Sequence, residues 1–142
     1  QTKLIPGTDG QKMSKSKDNA IDIFLTDKAL RKQIMSIKTD STPLEAPKDW
    51  AVCNCFAIYE LLASKQALET MKENYQAGGY GYGDAKQALF ELICKKFSFE
   101  RERYNHYMAH PEEVEKILTL GAGKAAAVAN SVLSRVRKKL GY

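Results

Sequence analysis

The chain has 142 residues and a mass of 15.9 kDa, about one domain's worth of polypeptide and enough to bury one sizeable core. Hydrophobic residues at 44% and charged residues at 27% exclude a disordered tail, and the absence of a run of about eighteen apolar residues argues against a transmembrane helix. The net charge of +5 is carried entirely by the last twenty residues, where Lys124, Arg135, Arg137, Lys138 and Lys139 stand with no acid among them.

Such a terminal basic cluster either attracts a polyanion such as nucleic acid or complements the carbonyl end of a helix. The chain opens at Gln1, and its first methionine is Met13, as expected of a processed chain or a piece of a longer one. No charged stretch leads into an apolar export core, and three cysteines, Cys53, Cys55 and Cys94, fit reduced thiols in a cytoplasmic protein. No metal site is expected. Cys53-x-Cys55 is tighter than the usual zinc staple, and the i, i+4 pair His106 and His110 has no matching pair of ligands.

The first 25 residues differ from the rest. Pro6-Gly7-Thr8-Asp9-Gly10 is turn chemistry, and Lys12 to Asn19 is a polar stretch that reads as a mobile loop. Thr26 then caps a helix with Leu30, Ile34 and Ile37 on one face, and a loop with Pro43 and Pro47 follows over 39–49. The pattern predicts a helix from about Trp50 to Ala63 with Val52, Phe56, Tyr59 and Ala63 inward. Ser64 caps the next, on which Leu68, Met71 and Tyr75 line up before Gly78-Gly79 stops it.

The Gly-rich run 78–83 lacks the preceding strand of a dinucleotide-binding loop and reads as a helix connection. A long helix is predicted from about Asp84 to Ala109, another from Pro111, and a last one from about Gly123 to Leu140. That last helix carries an apolar stripe of Ala125, Val128, Ala129, Val132, Val136 and Leu140. No strand-period run appears after residue 25. The expected fold class is therefore all-α, a helical bundle of five or six helices.

One segment carries chemistry. Lys12-Met13-Ser14-Lys15-Ser16 sets two lysines three residues apart with hydroxyls between them, after a glycine-containing turn. Ammonium groups, hydroxyls and backbone N–H groups of this kind suit polyphosphate oxygens, and a clamp that tightens on a leaving pyrophosphate lowers the barrier.

The string Lys-Met-Ser-Lys-Ser is the signature loop of class I aminoacyl-tRNA synthetases, and its surroundings resemble the bacterial tryptophanyl-tRNA synthetase family. The resemblance runs through Gly7-Thr8-Asp9-Gly10-Gln11, Lys32-Gln33-Ile34, Thr39-Asp40-Ser41 and Cys53-Asn54-Cys55-Phe56-Ala57-Ile58-Tyr59. It continues through 75–86, Arg101-Glu102-Arg103-Tyr104 and Gly121-Ala122-Gly123-Lys124-Ala125, so that it covers essentially the whole chain. Lys17-Asp18-Asn19 departs from the Ser/Asp-Pro-Asn common in the family.

The resemblance implies the C-terminal part of such an enzyme. Residues 1–25 would be the signature-loop end of a Rossmann-type catalytic domain, and 26–142 a helical bundle of anticodon-binding type. Lys12 and Lys15 would be catalytic, and Lys12, Met13, Ser14, Lys15 and Ser16 would face ATP. Lys86, Arg101, Arg103, Lys124, Arg135 and Lys138 are candidate tRNA contacts. The parent enzyme would use ATP with Mg2+ and tryptophan to charge the tryptophan tRNA, as a cytoplasmic homodimer without a membrane partner. The isolated chain, lacking the second histidine-containing signature, would bind no cofactor and be inactive, with residues 1–25 poorly ordered. The alternatives are a tyrosyl-type synthetase piece, a stand-alone helical RNA-binding module and a non-catalytic interaction bundle.

Overall fold

A computed structural model describes residues 4–142; Gln1, Thr2 and Lys3 lie outside the described residues. The chain packs as two units, Gln1–Arg101 and Glu102–Tyr142. The described residues form six α-helices and no strand; their one β feature is an isolated antiparallel bridge between Pro6 and Lys12. The expected all-α class is what the structure shows.

In the first unit, α1 (Asp27–Met35) begins where Thr26 Oγ1 accepts from Ala29 N at 3.4 Å, and it buries Leu30 and Ile34 completely. Helix α2 is shorter than its sequence pattern suggests. A 3-10 turn, Trp50–Val52, precedes it, and α2 itself runs Asn54–Glu60. Cys53 between them is extended (φ −81°, ψ 117°), which resets the helical phase. Val52 is consequently 74% exposed rather than inward, while Cys53, Cys55, Phe56, Ile58 and Tyr59 are buried. Burial pushes the Cys55 thiol up to about 12, so it stays a neutral core group.

Helix α3 (Lys65–Ala77) starts at its expected cap, Ser64 Oγ accepting from Ala67 N at 3.3 Å, and buries Met71 and Tyr75. It stops at Gly78, which has φ +73° and faces the Glu45 carbonyl oxygen so closely that a Cβ would collide with it. The 39–49 loop opposite is held from inside. Lys48 is buried, and its Nζ donates to the carbonyls of Pro43, Leu44 and Ala46 at 3.1, 3.1 and 3.2 Å. Tyr80 and Tyr82 pack on Tyr75, with ring centroids 5.9 and 6.2 Å away. The Gly-rich run is thus a packed helix connection.

The helix expected over 84–109 is two. Helix α4 (Tyr82–Lys96) starts earlier, because Asp84 Oδ2 accepts from Gly81 N at 3.1 Å and fixes the first turn there. At Phe97 (φ −107°, ψ 20°) the backbone leaves helical geometry while the side chain stays against the core, and α5 (Ser98–Ala109) follows across the boundary between the units. Ala85, Leu89 and Ile93, spaced by four, form the buried face of α4, which packs on both α1 and α2.

In the second unit, the helices expected from Pro111 and from Gly123 are a single one, α6 (Pro111–Leu140), with Pro111 in its first turn and Gly141 (φ +84°) ending it. Gly121 and Gly123 lie inside it in open space, and each costs about 1 kcal/mol relative to alanine, which the helix-forming alanines around them offset. His106 Nε2 and Glu113 Oε2 stand 3.0 Å apart and tie α5 to its start. The expected apolar stripe is exposed, Val128 at 68% and Leu140 at 68%. Helix α6 is also long and apolar enough to cross a membrane, by length and composition. That corrects the exclusion drawn from uninterrupted runs, because Thr, Ser, Gly and Asn break such a run while adding no charge.

These positions predict a contrast. Leu89→Ala should destabilise the chain by about 3 kcal/mol, as a buried leucine truncation does, whereas Val128→Ala should stay within about 0.5 kcal/mol. Urea denaturation followed by far-UV circular dichroism reads both, and equal effects would refute the assignment of α4 as the core helix.

Candidate functional site

The Lys12–Ser16 segment is built as a folded-back loop. Gly7 N donates to Gln11 O (2.7 Å), Gly10 N to Gly7 O (3.1 Å) and Met13 N to Ile5 O (2.9 Å), so that Lys12 lies on the return arm opposite Pro6. Gly10 takes φ +83° at the tip. Beyond it, Lys15–Lys17 forms a 3-10 turn closed by Asp18, whose N donates to Lys15 O at 3.2 Å. Asp18 has φ +52°, a conformation that a proline ring, fixed near −65°, does not adopt. This is the position at which Lys17-Asp18-Asn19 departs from the Ser/Asp-Pro-Asn of the family that the sequence resembles.

Lys12, Lys15 and Ser16 are exposed, and Met13 and Ser14 are half-buried. Neither lysine pairs with an acid among the described residues, while Ser14 Oγ and Ser16 Oγ are 2.9 Å apart. Two ammonium groups free of acidic partners, beside two hydroxyls, present donors and positive charge outward. Met13 lines an open apolar groove of about 420 Å³ together with Ile5, Ile21, Ile23, Ile58 and Phe97, among others.

The loop expected to be mobile makes defined internal bonds, and sequence reasoning overlooked the residue at their centre. Asn19 is buried, with 2% exposure. Its Oδ1 accepts from Ser14 N (2.8 Å), and its Nδ2 donates to Asp9 Oδ1 (2.8 Å) and Lys12 O (3.1 Å). Its own carbonyl accepts from Thr8 N at 2.9 Å. The Asn19 amide, and after it the Gln11 N–H, hold the Asp9 carboxyl below its ordinary range. Asn54, at the start of α2, donates to Gly7 O (2.9 Å) and Thr8 O (3.3 Å), and Lys38 N donates to Thr8 O (2.8 Å). Nothing periodic in the sequence marks Asn19, Asp9 or Asn54; their spacings are those of a folded loop.

The six basic residues proposed for nucleic acid divide by environment. Lys86 Nζ donates to Met35 O at 3.1 Å, closing the end of α1, and Arg101 holds the Ile23 carbonyl and the Asp27 carboxylate. Arg103 stacks over Tyr107, 5.7 Å from its ring centroid, and donates to its hydroxyl at 3.2 Å. Lys124, Arg135 and Lys138 are exposed on α6. Their spacings of eleven and three residues bring them within about 60° of arc on that helix.

The family model described as tRNA synthetases class I (W and Y) matches residues 1–98. The tryptophan–tRNA ligase of Campylobacter jejuni (strain RM1221) is 44% identical over 138 residues, covering 97% of this chain and 43% of the relative. That of Rhodopirellula baltica is 44% identical over 137 residues, covering 96% and 43%. The crystal structure of tryptophanyl-tRNA synthetase from Campylobacter jejuni complexed with ADP and tryptophan superposes with a TM-score of 0.96 at 42% identity, covering 100% of this chain and 44% of that one. The chain therefore spans about 43% of the length of these curated relatives. With the family model matched over more than half of its residues, the chain belongs to the class I tRNA synthetases of the tryptophan and tyrosine type.

Proposed function

We propose that this chain supplies the phosphate-facing loop and the tRNA-binding helices of a tryptophan–tRNA ligase, with residues 1–25 serving the catalytic domain and 26–142 forming the tRNA-binding body. The single observation that carries this reading is the outward display of Lys12 and Lys15, without acidic partners, from a loop anchored at Asn19. The 44% identity to tryptophan–tRNA ligases over nearly the whole chain favours tryptophan over tyrosine as the amino acid.

In the activation step, a carboxylate oxygen of tryptophan bonds to the α-phosphorus of ATP. The bond from that phosphorus to the α–β bridging oxygen breaks, and pyrophosphate leaves with the electron pair. Lys12 and Lys15 stabilise the charge that grows on the departing oxygens, and Ser14 and Ser16 with the loop N–H groups supply further donors. Met13 would position the loop from the wall of the apolar groove that it lines. Among the described residues no three His, Cys, Asp or Glu side chains converge. Magnesium would arrive on the nucleotide phosphates.

The second step needs tRNA. Lys124, Arg135 and Lys138 lie along about 21 Å of one face of α6 and suit a phosphate backbone. Lys86, Arg101 and Arg103 would have to leave the intramolecular contacts described above, so the α6 residues carry more of the proposed binding. The complete enzyme would act in the cytoplasm as a homodimer.

Three expected outcomes follow from this reading. Tryptophan-dependent ATP–pyrophosphate exchange by the 142-residue chain alone stays at background, and exchange abolished by Lys15→Ala would contradict that. In a polypeptide of the relatives' full length carrying this chain, Lys15→Ala lowers the exchange kcat by about 100-fold, and a change under about threefold would refute the role of the loop. Tryptophan tRNA binding weakens linearly in log salt, and the slope shrinks by about 0.7 for each of Lys124, Arg135 and Lys138 replaced by alanine; unchanged slopes would remove α6 from the interface.

A further inference from the structure

We infer that Asn19 is a positioning residue for activation, setting the backbone of Lys12 and Ser14 so that the two lysines meet the departing phosphates together. This rests on the reading of the loop as phosphate-facing.

The geometry makes the case. Asn19 grips the loop on both sides of Met13, through the carbonyl of Lys12 and the N–H of Ser14. These are the backbone groups that fix where the Lys12 side chain departs and where the 3-10 turn bearing Lys15 begins. The third bond, to Asp9, ties the same amide to the tip of the Gly7–Gly10 turn. Thr8 N donates to the Asn19 carbonyl, and Asn54 of α2 and Lys38 N hold the Thr8 carbonyl. The loop is therefore referenced to the helical body through a continuous set of bonds. Gly7 belongs to this set, since a Cβ there would collide with the Asn19 side chain and backbone.

Only a primary amide of this length meets the site. Ser14 N is a donor and faces an acceptor; the Asp9 carboxylate and Lys12 carbonyl are acceptors and face a donor. Reversing the amide would break all three bonds, so the orientation is fixed by its partners. An aspartate at 19 could still accept from Ser14 but could donate to neither partner, and it would place a second negative charge against Asp9.

The test uses the full-length polypeptide carrying this chain and measures tryptophan-dependent ATP–pyrophosphate exchange, separating kcat from the KM for tryptophan. Asn19→Ala and Asn19→Asp should each lower kcat by about tenfold or more with the KM for tryptophan unchanged, as loss of loop geometry does. A purely structural role would predict a loss of folded protein that accounts for the lost activity, so circular dichroism melts accompany each variant.

Lys15→Ala is run beside them. If Lys15→Ala loses activity while Asn19→Ala stays within twofold, the positioning role is overturned and the loop reading stands. If Lys15→Ala is itself unaffected, the loop reading falls and this inference with it.

Discussion

A loop that must present two ammonium groups to solvent cannot bury its charged side chains to hold its shape, so its backbone has to be held from behind. In this chain the side-chain amide of Asn19 does that, exchanging hydrogen bonds with Ser14, Lys12 and Asp9 from a position almost sealed from water. Buried polar groups persist only when satisfied, and here each atom of the amide able to bond has a partner. The cost of ordering the loop is met by bonds hidden beneath it, while Lys12 and Lys15 stay exposed. Exposure of Lys12 and Lys15 and burial of Asn19 are two consequences of one arrangement.

The helical body provides the frame for that arrangement. Helix α4 packs on α1 and α2 through Ala85, Leu89 and Ile93, and Asn54 at the head of α2 reaches the turn before the loop. On another side, Lys48 gathers three carbonyls of the 39–49 loop, and the Gly78 turn lies against that loop's Glu45 carbonyl. A buried ammonium among carbonyls is tolerable because every bond is charge-assisted. Both loops are thus fixed by one buried polar side chain each, Asn19 in the first and Lys48 in the second.

Much of the body was legible in the sequence because it obeys local rules. Thr26 and Ser64 cap helices as their chemistry suggests, Leu30 and Ile34 share a face, and Tyr75 sits one turn before a glycine stop. The departures have local physical causes that periodicity does not see. One extended residue, Cys53, changes the phase of α2, and Phe97 breaks a pattern that reads as continuous. In α6 the error runs the opposite way: Gly121 and Gly123 look like breakers, yet they remove only a modest amount of helix propensity from a long alanine-rich segment. At the site, the lysines and serines were legible because they form a motif. Asn19, Asp9 and Asn54 were not, since they act across loop closure at separations of five, seven, ten and forty-seven residues.

The central claim, that a buried amide holds a phosphate-facing loop in place, is tested most directly by residue-resolved amide hydrogen exchange on this chain and on its Asn19→Ala variant. The account predicts that the Ser14 amide is protected in the unaltered chain and loses that protection in the variant, while Leu89 and Ile93 in α4 stay protected in both. Ser14 exchanging at the unprotected rate in the unaltered chain, or equally slowly in both, would contradict it.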